Sequence, residues 1–320
     1  MRSVWALAFA IATGGAAFAQ AEYKGKTFDV FGSDKATVDK RGKQCDEVGE
    51  RFKKIMGLKE VKRGAVTLTP GGSGVDAKKN GAQWTFQWPE AMGGFPGAGG
   101  GLPGGGRMPG GDDMDPFSHE LGHMILVHHV NDGCDESLKK SFNGYGSYLK
   151  DWLDESFACI HEPEGMKKMR RDQIKQHVAQ GDFIKFRELF EMNHPIGGGG
   201  HGGLPGGAPG GGGVPGGTGR MPEAPGGGGL PGLPGGGGGA PGGGGGLMDA
   251  NKFYVECLSV LEFLLEQYGE EFVQHVVATF QKAKNMDEAL KTYKGKLKKA
   301  RLAKGVDELE SQWLAWVKGK

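Results

Sequence analysis

Apolar positions in the first third of this chain fall into short runs, and from there on they recur every three to four residues. Thr27 to Phe31 and Ala65 to Thr69 read as strands, and Ala82 to Trp88 as a third, in which Trp84, Phe86 and Trp88 alternate onto one face. Residues 34 to 56 have helical spacing. Asp115-Pro116 is a helix start, with aspartate as N-cap and proline at the first helical position. The helix that follows, Phe117 to Val130, is apolar nearly all round, because Met124, Ile125, Leu126 and Val127 leave no polar side. Residues 146 to 161 predict an amphipathic helix with Leu149, Trp152, Leu153, Ser156, Phe157 and Ile160 facing the core. Further helices are expected over 165–192, 251–268, 269–284, 286–293 and 306–318. The predicted class is α+β.

Two stretches break this pattern. Residues 92–111 and 196–247 hold 41 of the chain's 63 glycines, 11 in the first and 30 in the second. Without a strict Gly-X-Y period they are not collagen, and their composition cannot bury enough apolar surface to order them. Gly-Arg-Met-Pro occurs in both, at 106–109 and 219–222, which points to one low-complexity source expanded twice. The first nineteen residues read as a secretory signal: Arg2, an apolar stretch from Val4 to Ala12, then Ala17-Phe18-Ala19 before the cut. The expected parts are a signal peptide at 1–19, an N-terminal α/β part at 20–91, an insert at 92–111, a central helical part at 112–195, a second insert at 196–247 and a C-terminal helical part at 248–320. Roughly 230 residues remain for a core, enough for one or two lobes.

A formal net charge of +1 gives no global drive toward nucleic acid or a membrane surface. Lys294, Lys296, Lys298, Lys299, Arg301 and Lys304 form a local basic run that reads as a solvated surface. No stretch after the signal is long and apolar enough to span a bilayer. Cys45, Cys134, Cys159 and Cys257 permit two disulfides in three connectivities in an exported chain.

The chemistry is carried by His119-Glu120-Leu121-Gly122-His123. Two histidines four apart share one side of a helix, about one 5.4 Å turn apart, so both imidazoles can reach a single Zn²⁺. Glu120 between them is placed to act as general base on a zinc-activated water. Such a site needs a third protein ligand. His129 fails: with Leu126 where a helix-breaking glycine would be required, the helix continues and puts His129 about 9 Å beyond His123 along the axis. Glu155, in Trp152-Leu153-Asp154-Glu155-Ser156-Phe157-Ala158, falls beside Tyr148, Trp152 and Cys159 at the edge of the apolar face, with Asp151 and Asp154 further out. By itself that placement reads as a solvated helix charge, and Asp132 and Asp135 are alternatives. Cys159 is a poor candidate, since thiolate-rich zinc sites tend to be closed structural ones.

His-Glu-Leu-Gly-His followed by Trp-Leu-Asp-Glu-Ser-Phe-Ala resembles the gluzincin metallopeptidases, in which a Trp-Leu-x-Glu-Gly-x-Ala helix delivers a glutamate ligand. The likeness is greatest to the bacterial peptidase MA-like group. It extends to Gly181–Phe190, to Tyr254-Val255-Glu256-Cys257-Leu258-Ser259 through Tyr268-Gly269, and to Asp307-Glu308-Leu309-Glu310-Ser311-Gln312-Trp313. It covers most of 112–195 and 250–318, and it departs from the family where Ser156 replaces glycine and where the gap from His123 to Glu155 is longer than in thermolysin. The resemblance implies one Zn²⁺ held by His119, His123 and Glu155; Tyr254, opening the helix that resembles the family's, is the candidate donor to the oxyanion, with a packed core aromatic as its alternative role. Asp154 or another nearby carboxylate is a candidate to orient a ligand histidine, and the sequence does not choose between them. It implies a zincin-like fold, a small N-terminal sheet lobe over an active-site helix with a mainly helical C-terminal lobe. The expected activity is that of a periplasmic or extracellular zinc peptidase acting on protein or peptide substrates. The alternative from another class is a zinc-retaining surface or matrix binding protein whose Gly/Pro-rich inserts make the interaction.

Overall fold

A computed structural model describes residues 21–69, 81–89, 115–141, 147–192 and 245–320. The expected signal at 1–19, the insert at 92–111 and all but the last three residues of 196–247 lie outside them.

The class is α+β. Four strands form one sheet in the order β1 (Ala21–Lys24), β2 (Phe28–Gly32), β3 (Gly64–Thr69), β4 (Trp84–Pro89). β1 runs antiparallel to β2, with Glu22 opposite Phe31, while β2, β3 and β4 are parallel, with Val30 beside Val66 and Val66 beside Phe86. The parallel β2–β3 pair needs a crossover, supplied by α1 (Lys35–Met56). Asp34 caps that helix by accepting from the Thr37 N–H at 2.7 Å, and Gly57 ends it in the left-handed region at φ 62°. α1 lies on β1 and β2 with one side and on the metal-motif helix with another. The sequence pattern does not announce β1: its four residues alternate half-buried and exposed, and it survives as an edge strand zipped to β2.

The remaining elements are helices: α2 (Phe117–Val130), α3 (Glu136–Ser141), α4 (Asp151–His161), α5 (Glu164–Gln180), α6 (Phe186–Leu189), α7 (Gly245–Phe263), α8 (Glu270–Phe280), α9 (Met286–Thr292) and α10 (Val306–Lys318), with one π turn at Leu264–Tyr268. α4 is sandwiched between α2 and α7, and α7 in turn packs on α5. Trp152, Phe157, Phe253, Phe263 and Trp313 are among the largest fully buried side chains.

Two helix predictions need correction. Residues 165–192 do not form one helix; α5 stops at Gly181, which takes φ 70° and lets the Asp182 N–H return to the His177 carbonyl. The helix expected from 146 begins at Asp151, because Ser147–Lys150 form bends tied by the Ser147 N–H to the Asp154 carboxylate. No helix among the described residues is long and apolar enough to cross a membrane.

Candidate metal centre

α2 begins at a fixed point. Asp115 accepts from the Phe117 N–H at 3.1 Å and forms an ion pair with Arg41 of α1, both side chains mostly buried. The Arg41 guanidinium also lies 4.6 Å above the Phe117 ring. The helix start is one residue later than the sequence predicts: Pro116 is the N-cap, without a side-chain cap bond, and Asp115 stands just outside it, holding the Phe117 N–H.

From there His119 and His123 project one turn apart toward α4. The approach of α4 depends on Gly122: a Cβ there would sit 2.9 Å from Ala158 Cα and 3.0 Å from the Phe157 carbonyl oxygen. Real carbon contacts open at about 3.5–4.0 Å, so only glycine permits this crossing. α4 is held from the other side by Ser156, whose hydroxyl lies 2.6 Å from the Trp152 carbonyl and 2.8 Å from the Cys257 carbonyl of α7. Glycine at 156 would lack both contacts.

The result is a triangle of donor atoms. His119 Nε2 and His123 Nε2 are 3.2 Å apart, and Glu155 Oε2 is 3.5 Å from each. Three atoms so spaced lie on a circle of radius about 2.0 Å, the length of a zinc bond to imidazole nitrogen or carboxylate oxygen. Behind the triangle each imidazole has a carboxylate at its other nitrogen. His119 Nδ1 donates to Glu162 Oε1 at 2.9 Å, and His123 Nδ1 is 3.3 Å from Asp154 Oδ2, a looser contact. Protons held at Nδ1 turn the Nε2 lone pairs toward each other, an arrangement that repels unless a cation or proton lies between them.

The electrostatics agree. Glu155, Glu162 and Asp154 are all buried, at 0%, 1% and 2% exposure. Burial opposes protonation of His119, but Cys159, Glu155 and Glu162 outweigh it and raise its pKa well above the ordinary value. Burial also opposes charge on His123, and Glu155 and Asp154 overcome it in the same way. The buried carboxylates thus favour positive charge between the two imidazoles, and these residues could hold a metal ion.

A second set of donors, His119, Cys159 and Glu162, also lies close together. It is a poor cation site, because both Glu162 oxygens are taken by Arg170 at 2.6 Å. Burial raises and His119 and Arg170 lower the Glu162 pKa, for a net value of about 2. Cys159 Sγ lies 4.0 Å from His119 Nδ1, and burial pushes its thiol pKa up, away from the thiolate a metal needs. All four cysteines are free and buried, so neither disulfide forms.

The other sequence candidates are sorted by position. Tyr254, half-buried on α7, meets the His119 ring edge-to-face at 6.1 Å, and burial and Glu155 raise its phenol pKa. Glu120 is half-buried on α2 and has no hydrogen bond or ion pair with another described side chain. Asp132 pairs with Lys62, and Asp135 caps α3 through the Ser137 N–H. His129 accepts from the Lys62 N–H at 2.9 Å and is kept neutral, burial and Lys62 lowering its pKa to about 4. His128 stacks on Trp84 at 4.7 Å, its pKa lowered by burial. Burial thus disfavours positive charge on either imidazole at the C-terminus of α2.

Asp151 and Asp154 do not point outward as the helical wheel suggests. Both are buried, since α4 has packed neighbours on two sides. Glu162 and Arg170 do not stand out in the sequence; the available signal is the Glu162-Pro163 step. A residue before proline is driven to extended backbone, and Glu162 (φ −54°, ψ 154°) leaves the helix there.

No protein-family model, curated protein or solved structure matches this chain.

Proposed function

We propose that the protein is a zinc-dependent peptidase of the gluzincin type, with the small sheet and α2 forming a zincin-like lobe, acting in a periplasm or outside the cell. The observation that carries this reading is the donor triangle of His119, His123 and Glu155, backed by Glu162 and Asp154. Two imidazoles and one carboxylate are the donor set of catalytic zinc sites that keep a fourth position open. Zinc held there supplies Lewis acidity, polarising a substrate carbonyl and bringing water into the acidity range where it attacks at neutral pH.

The chain's own residues do the rest. Glu162 and Asp154 fix which nitrogen of each ligand histidine carries the proton. Glu120, between the two ligands on α2, takes the proton of the attacking water and returns it to the leaving amine. Tyr254 keeps its phenol protonated and donates to the developing oxyanion.

The test uses purified protein and a generic unfolded protein substrate, with and without chelator. Glu120→Gln is expected to keep zinc and fold and to lose cleavage by at least about 100-fold. Glu155→Ala is expected to lose zinc. Cleavage that persists in Glu120→Gln, or metal content unchanged in Glu155→Ala, overturns the proposal.

A further inference from the structure

The chain turns at the Glu162-Pro163 step into α5, which packs on α7 and α10, and Arg170, about two turns into α5, comes against Glu162 at the candidate metal centre. Arg170 is only 7% exposed. Its Nε and one terminal nitrogen donate in parallel to the two oxygens of Glu162, each at 2.6 Å. That carboxylate in turn accepts from His119 Nδ1 at 2.9 Å. The same guanidinium lies 5.5 Å from the centre of the Tyr254 ring, which itself meets the His119 imidazole edge-on. One planar cation thus touches the group that aims a ligand and the ring proposed to donate to the oxyanion.

We propose that Arg170 is a positioning residue of the metal centre, locking the Glu162 carboxylate that aims His119 and seating the ring of Tyr254. The proposal rests on the zinc reading above. Alone, a buried carboxylate beside His119 could rotate toward Cys159 or pull its proton away from the imidazole. Two parallel N–H donors remove that rotation, and only a guanidinium offers them in the fixed spacing that a carboxylate requires. A lysine would keep the charge and lose the fork. The neighbouring Arg171 faces elsewhere, pairing with Glu164 and Glu262.

The test is zinc affinity by chelator competition and the visible spectrum of the cobalt(II)-loaded protein, each beside near-ultraviolet circular dichroism. Arg170→Met is expected to weaken zinc about 10- to 100-fold, the usual effect of removing a residue behind a ligand, and to alter the cobalt band. Arg170→Lys should recover only part of the loss, and Arg171→Met should show none of it. Tyr254→Phe keeps the ring and should keep zinc affinity while losing turnover. Because Arg170→Met leaves Glu162 buried without its cation, the pair Arg170→Met/Glu162→Gln is measured as well. The double variant should lose no more affinity than either single one, as expected of residues acting in series. Additive losses, or native affinity and cobalt spectrum in a folded Arg170→Met, overturn the positioning role and leave the zinc reading intact. Failure of the unaltered protein to bind zinc overturns both.

Discussion

Gly122→Ala tests how closely the metal centre depends on the crossing of α2 and α4. The added methyl would lie 2.9 Å from Ala158 Cα, 3.0 Å from the Phe157 oxygen and 3.1 Å from His161 Cδ2. The first two are backbone atoms and cannot rotate aside, so α4 must retreat by about 0.5–1 Å to restore ordinary contacts. Glu155 rides on α4, so its oxygen moves from 3.5 Å to about 4.2 Å from each Nε2. The circle through the three donors then widens from about 2.0 to about 2.3 Å, outside the range of zinc bonds. Zinc affinity is expected to fall about 10- to 100-fold, or roughly 1.4–2.7 kcal/mol. Chelator-stripped protein should change less, since overpacking costs about 1–3 kcal/mol. Alanine returns about 1 kcal/mol of that through helix propensity. The assays are chelator competition for zinc and denaturant unfolding of the stripped protein. Native affinity together with a gain of about 1 kcal/mol in stability would refute the argument, showing that only propensity had changed.

Two predictions concern pH. Glu256 is fully buried on α7, its Oε1 accepting from the Ile184 N–H at 2.7 Å, and burial raises its pKa from 4.5 to about 8. A raised carboxylate pKa contributes stability below the unfolded value that is lost as pH climbs through the folded one. Glu256→Gln, which keeps the acceptor, should therefore be neutral near pH 4 and stabilise by about 1–3 kcal/mol at pH 9, read by denaturant unfolding. Equal shifts at both pH values would refute it. In that variant, metal-free protein should still lose stability as pH rises above the ordinary histidine value of 6.5, because the protons on His119 and His123 that favour the folded form are released. Zinc competes with those same protons, so the melting-temperature gap between loaded and stripped protein should widen from pH 6 to pH 9. A constant gap counts against a shared proton and metal site.

The helix with its paired histidines is legible in the sequence because i,i+4 spacing and an apolar surround are local properties. Glu155 is legible through its helix and the likeness of its surroundings. Glu162 and Arg170 are not, since Glu162 meets His119 from 43 residues along the chain and Arg170 reaches Glu162 only after the chain turns at Pro163. Asp151 and Asp154 are misplaced by the wheel for a related reason. A helical wheel assumes one inner side, whereas α4 has α2 on one side and α7 on the other. The break at Gly181 is hidden because apolar spacing carries across it, and backbone conformation, not periodicity, ends the helix there.

The ion pair of Arg41 with Asp115 has a mechanical consequence. Asp115 is the first described residue after the segment that contains the first Gly/Pro-rich stretch, and it is bolted to α1 four residues ahead of His119. A tug on the chain before this point is borne by α1 before it reaches the ligands. Lys252, two turns into α7, pairs with Asp182 at 2.5 Å two residues ahead of Tyr254, a more exposed and weaker tie. Held at Asp115, the helix that carries His119 and His123 is insulated from changes in length or sequence of the low-complexity stretch before it.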